Sequence, residues 1–258
     1  LSDVDRSERE IVEQFQSARR DQRLVVLEGF HALKHAARFG ADLVDVVTRD
    51  ADSAARLAQE HAPDLAPRLA DAEVVASEVF ARLSPRPHPT GVVAIARRPS
   101  PRAVLAEIWP EPVVVLEDPR RPENLGAVVR VAAAAGAAGV VALGGVDPWH
   151  PAAVRGAAGL QFALPVASVA SLADLLGADP SAPAGLLVAF DPSGEPLVPG
   201  AIPPGALLAF GTERRGLSGA LLARADRRLA IPMREGVSSL NLATAVAVAL
   251  YAWRLEAR

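Results

Sequence analysis

Cysteine is absent from the 258 residues. Disulfides, thiolate zinc sites, cysteine nucleophiles and cysteine redox pairs are therefore excluded. Aromatic residues are scarce at 4%, with a single Tyr and a single Met. Lysine is almost missing, since Lys34 is the only one and every other Lys/Arg position is Arg. Arg makes bidentate phosphate contacts that Lys cannot, although a GC-rich genome gives the same Arg and Ala bias. The net charge of −3 carries no global nucleic-acid signature, so any RNA contact falls to local Arg clusters. The charged stretch from Leu1 to Glu13 has no apolar core of a secretory signal. The longest uncharged apolar run, Val131 to Val146, is Ala/Gly-rich and short for a bilayer span. A soluble, cytoplasmic chain without a membrane partner is expected, and the missing initiator Met is expected of a trimmed chain.

What is present is a sizeable core: 50% of the residues are hydrophobic, enough for one large domain or two small ones. Residues 1–20 read as a charged amphipathic helical extension. Residues 21–98 alternate short elements: strands at 24–27, 44–48, 72–75 and 91–96, and helices at 30–39, 53–59 and 78–83. Residues 99–111, with Arg97-Arg98-Pro99-Ser100-Pro101-Arg102 at their start, have the composition of a linker. Residues 112–258 begin with Val113-Val114-Val115-Leu116, an unbroken apolar strand of the kind found in parallel sheets covered on both faces. A helix at 125–135 and a strand at 140–143 follow. Next come a helix at 152–159, a strand at 163–166 and a helix at 172–176. Strands at 186–189, 207–210 and 228–231 lead to a long final helix at 240–255. The fold class is α/β.

Three motifs stand out in residues 112–258. Asn124-Leu125-Gly126-Ala127 with Arg130 opens a helix after a strand. It has neither G-x-G-x-x-G nor G-K-[ST], so a dinucleotide fingerprint and a P-loop are both absent. Asn124 is either a helix cap or a functional amide. Arg130, in a helix of Val and Ala, either serves a site or reaches solvent. Gly211-Thr212-Glu213 with Gly216-Leu217-Ser218 follows a strand, and Gly211 alone would only permit a sharp exit. Ile231-Pro232-Met233 with Ser239-Leu240-Asn241 leads into the final helix. Polar residues at the start of so apolar a helix suggest a ligand cradle.

Taken together and in this order, the motifs resemble the SpoU (TrmH) branch of the SPOUT methyltransferases. Leu27-Glu28-Gly29-Phe30-His31-Ala32-Leu33 and Gly91-Val92-Val93-Ala94 are similar to the L30e-like RNA-binding domain that often precedes that catalytic domain. The resemblance implies a small L30e-like α/β domain followed by a SPOUT α/β domain with a parallel sheet and a C-terminal deep trefoil knot. General rules make knots very rare, so only the resemblance suggests one. It also implies S-adenosyl-L-methionine as cofactor, an rRNA or tRNA substrate methylated on a ribose 2′-hydroxyl, a homodimer through the SPOUT domain, and no metal. By resemblance Gly211, Ile231 and Leu240 hold adenine and ribose through backbone groups, while Leu208, Ile231, Met233 and Leu240 supply an apolar slot. Arg130 would sit beside the 2′-hydroxyl. Asn124 and Asn241 would position groups around it, Ser239 would bond Arg130 or the ribose, and Glu213 would hold the loop or Asn124.

Two departures from the family pattern are visible. Arg120-Arg121-Pro122-Glu123 stands where Asp-Pro is common, either as phosphate contacts or as a solvated loop. Gly156-Ala157-Ala158-Gly159 lacks the Ser that many members carry before the Gly. Methyl transfer to a hydroxyl needs an in-line arrangement and removal of one proton. An arginine is awkward as a general base because its ordinary pKa lies above about 12, and electrostatic stabilisation is the alternative role. A catalytically silent RNA-binding scaffold of the same fold is the competing reading.

Overall fold

The computed structural model describes residues 6–86, 88–99, 109–176, 185–212 and 215–256. Most of the expected linker, residues 1–5 of the N-terminal extension, and Glu213 lie outside the described residues. The chain divides into two compact units, Leu1–Ser100 with Ala158–Phe162, and Pro101–Ala157 with Ala163–Arg258.

In the first unit the elements are α1 (Glu8–Ala18), β1 (Leu24–Glu28), α2 (Phe30–Arg38), β2 (Leu43–Thr48), α3 (Ala51–His61), α4 (Ala66–Ala70), β3 (Glu73–Val74), α5 (Ser77–Leu83) and β4 (Val92–Arg97). They form a four-stranded sheet in the order β1-β4-β2-β3. Its pairs are antiparallel except β2–β3. Helix α1 starts at a capping box, with Ser7 and Glu10 each satisfying the other's backbone. Its Ile11, Val12 and Phe15 pack with Val26, Val47 and Phe80 in one core. Glu28 is a buried carboxylate at the end of β1. It accepts from Arg19 Nη2 at 2.9 Å and from Ser84 Oγ at 2.8 Å, the pairing a buried charge requires.

In the second unit the elements are β5 (Val113–Glu117), α6 (Pro122–Ala135), β6 (Gly139–Leu143), α7 (Pro151–Ala157), β7 (Val166–Val169), α8 (Leu172–Leu176), β8 (Leu187–Pro196), β9 (Leu207–Phe210), α9 (Gly219–Arg224), β10 (Arg227–Ala230) and α10 (Leu242–Glu256). The sheet has six strands in the order β10-β8-β9-β5-β6-β7, and every neighbouring pair is parallel. Alternation along β5 and β9 splits the core in two. Val114, Leu116, Leu208 and Phe210 face α6 and α10. Val113, Val115, Leu207 and Ala209 face Leu175 of α8 and Leu221 of α9. The mixed α/β class with a parallel sheet is as the sequence implied.

Several boundaries differ from the sequence reading. The strand expected at 163–166 lies at Val166–Val169, after a 3₁₀ turn at Leu160–Phe162. Pro165 has no N–H for a ladder, and the strand starts just beyond it. The strand expected at 186–189 runs on to Pro196, because its pairing with β10 jumps from Ala189 to Glu195 between Arg228 and Leu229. The five residues between them bulge out. The final helix begins at Leu242 rather than Leu240. Asn241 is its cap, with Oδ1 accepting from Ala243 N at 2.9 Å and Thr244 N at 3.4 Å. Asn124 does not cap α6: the N-cap is Arg121, Pro122 follows it, and Asn124 lies within the first turn. Helices α4 and α9 were not anticipated.

Helices α6 and α7 cross closely because both carry glycine. A Cβ on Gly126 would collide with the Ala153 carbonyl, and one on Gly156 would lie 2.9 Å from the Glu123 carbonyl. Gly126→Ala should therefore destabilise the protein by about 1–3 kcal/mol, measured by urea unfolding. An unchanged midpoint would show that the crossing tolerates a methyl group.

Candidate functional site

The loop from Gly211 to Ser218 leaves β9 and turns back on itself. Thr212 and Gly216 form a β-bridge, and Gly216 N donates to Thr212 O at 2.9 Å. A Cβ at Gly211 would overlap the Gly216 backbone, so position 211 has room for hydrogen only. The far end of the loop is fastened to β5. Ser218 donates to the Glu117 carboxylate through its N–H and its Oγ–H, both at 2.6 Å. The same Oγ accepts from Leu221 N at 3.2 Å and caps α9. Glu117 thus holds the loop in place, a role no motif in the sequence announced.

Against this loop lies a cavity of about 440 Å³. Its apolar wall comes from Phe190, Phe210, Leu229, Ile231, Met233 and Leu240. The Phe190 and Phe210 rings stack with centroids 4.6 Å apart. Polar groups reach it from Asp191, Thr212, Arg215, Ser238 and Ser239. The cavity sits beyond the carboxyl ends of β9 and β10, where open parallel sheets place their ligands. Asp191 belongs to the bulge of β8. Its Oδ1 accepts from Ser193 N at 2.9 Å and Ser193 Oγ at 2.5 Å. These bonds, with Arg228 nearby, hold its carboxyl below the usual carboxylate range.

A second cavity of about 260 Å³ is lined by Pro119, Arg120, Arg121, Asn124, Thr212, Arg215 and Leu242. Thr212, Arg215 and Leu242 line both cavities, so the two adjoin. Three arginines line the smaller one. Arg120 is partly neutralised by Asp118 at 3.0 Å, and Asp118 has a left-handed backbone at φ 48°.

The structure thus gathers Gly211, Ile231, Met233, Leu240 and Ser239 around the larger cavity and Asn124 at the smaller one. Leu208 is not in the lining. It is fully buried in the core, and Phe210, two residues further along the same face of β9, takes the wall position. Asn241 stands between Leu240 and Leu242, with its side-chain oxygen committed to capping α10. Arg130 is exposed on α6 and lines neither cavity of its own chain. Glu213 lies outside the described residues. Sequence reasoning missed Phe190, Asp191, Arg215 and Glu117. Only Arg215 falls within the span of a motif, between Glu213 and Gly216.

A sequence model of the SpoU rRNA Methylase family matches residues 111–251. An uncharacterized tRNA/rRNA methyltransferase of Synechocystis sp. is 32% identical over 249 residues, covering 92% of this chain and 86% of the relative. The solved structure of the SpoU methyltransferase AviRb from Streptomyces viridochromogenes, in complex with AdoMet, aligns with TM-score 0.75 and 25% identity over 95% of this chain and 98% of that one. The crystal structure of an RNA 2′-O ribose methyltransferase aligns with TM-score 0.76 and 29% identity, covering 98% and 96%.

If Glu117 and Ser218 act as one fastening, their effects are not additive. A double-mutant cycle of Glu117→Ala and Ser218→Ala, read by chemical unfolding, should give a coupling of about 0.5–3 kcal/mol. Additive losses would mean that the loop is held elsewhere.

Proposed function

Because the chain belongs to the SpoU rRNA methylase family, we propose that it transfers a methyl group from S-adenosylmethionine to a ribose 2′-hydroxyl of structured rRNA or tRNA. The observation that carries this is the pair of adjoining cavities. The larger suits a nucleoside: stacked aromatic rings, an apolar slot, and loop backbone exposed beside Gly211 with no side chain in the way. The smaller suits a ribose-phosphate: three arginines and an amide around a space beside the first.

The cofactor supplies a methyl group already activated on a sulfonium. The chain has to bring the hydroxyl into line with it and accommodate the departing proton. With Thr212, Arg215 and Leu242 lining both cavities, the two ligands would be held side by side. Arg121 and Arg215 take the backbone phosphate, and Ser239 and Asn124 orient polar groups on either side. Arg130 acts as a cation that stabilises developing oxyanion charge. Its exposure in the single chain fits a site completed in a homodimer. Helix α10 offers the surface for one: Val248, Tyr251 and Leu255 are exposed at helical spacing, an apolar stripe that a second copy would cover. Residues 21–98 are the L30e-like RNA-binding domain and residues 112–258 the SPOUT domain. Its final loops and α10 are threaded as a deep trefoil knot, and the enzyme works in the cytoplasm.

Labelled S-adenosylmethionine with unmodified rRNA and tRNA tests the reading. Incorporation into one fraction is expected. Cofactor affinity without any incorporation, even into ribosomal assembly intermediates, would favour the silent scaffold. Arg130→Ala should abolish transfer with cofactor affinity nearly intact, and an equal loss of both would remove its assigned role. Arg121→Ala should lower the salt dependence of RNA binding by about one phosphate contact; an unchanged slope would leave Arg121 in a solvated loop. Tyr251→Asp should yield monomers in sedimentation and no transfer, whereas an active monomer would contradict the shared site.

A further inference from the structure

We propose that Asp191 is the counter-ion that makes the larger cavity prefer a cationic ligand, S-adenosylmethionine, over the demethylated product, S-adenosylhomocysteine. The inference rests on the cofactor assignment above. Asp191 is the only carboxylate among the described residues lining the cavity, and Arg215 the only cation. Arg215 also lines the phosphate cavity, so bound RNA would draw off its charge.

The backbone is built to present this side chain. Strand β8 pairs with β10 up to Ala189 and resumes only at Glu195. The intervening bulge carries Phe190, Asp191 and Pro192 to the cavity wall. Bulges of this kind re-aim side chains at the rims of sites. The chain returns to the sheet at Gly194, where a Cβ would lie 2.7 Å from the Arg228 and Leu229 backbone. Both bonds from Ser193 go to Oδ1, leaving Oδ2 without a hydrogen bond among the described residues. Those bonds also favour the ionised carboxylate. A 440 Å³ cavity is about 10 Å across, comparable with the Debye length at physiological salt. A fixed negative charge on its wall therefore acts on a sulfonium anywhere inside. Methyl transfer removes the sulfonium charge, so the same carboxylate that recruits the cofactor weakens its hold on the product.

Titration calorimetry of both ligands against wild type, Asp191→Asn and Asp191→Glu tests this. Asp191→Asn should lose about tenfold in affinity for S-adenosylmethionine (~1.4 kcal/mol) and less than threefold for S-adenosylhomocysteine. Asp191→Glu should retain most of the preference. Equal losses for both ligands, or no loss for either, would overturn the inference. Should Asp191→Asn fail to fold, the wild type alone decides. The ratio of the two affinities should move toward the product as salt rises from low to molar, and a constant ratio would overturn the proposal. A wild type that binds neither ligand would instead remove the cofactor assignment on which it rests.

Discussion

The site depends on one close approach. The loop after β9 folds back so tightly that Gly211 has no space for a side chain against Gly216. The Glu117 carboxylate at the end of β5 ties the loop's far end down through Ser218. Everything with chemical potential hangs from that fold-back. It sets Thr212 and Arg215 between two cavities, leaves loop backbone bare toward the larger one, and aligns Phe210 for stacking on Phe190. A methyl at Gly211 would thus act first on the loop itself, and on any ligand only through it.

Charge is distributed between the two cavities according to what each would hold. The larger has an apolar wall with one acid and, on the wall it shares with the smaller, Arg215; the smaller has three arginines, Arg215 among them. A ligand that is cationic before reaction and less so afterwards meets the acid, and a polyanion meets the arginines. Arg130 is exposed and absent from both linings, while α10 carries an uncovered apolar stripe. The proposed homodimer would account for both.

The motifs led to the two cavities because glycine and cap residues have local causes. Gly211 and Gly126 are required by backbone contact, and Asn241 by the start of α10. Apolar runs such as Val113 to Leu116 likewise announced a doubly covered parallel strand. What stayed illegible was set by pairing at a distance. Asp191-Pro192-Ser193-Gly194 reads locally as a turn, yet it is a bulge in a strand that resumes because β10 lies alongside. The Glu117–Ser218 tie spans 101 positions and leaves no pattern in either segment. Leu208 has the right strand and the right face but lies one layer too deep.

The central claim is that the paired cavities direct methylation to a ribose hydroxyl rather than to a base. Alkaline hydrolysis of RNA labelled by this enzyme tests it most directly, because a 2′-O-methyl group blocks cleavage at its own linkage. The account predicts that the label remains in an alkali-resistant dinucleotide. Label released in mononucleotides would place the methyl on a base and contradict it.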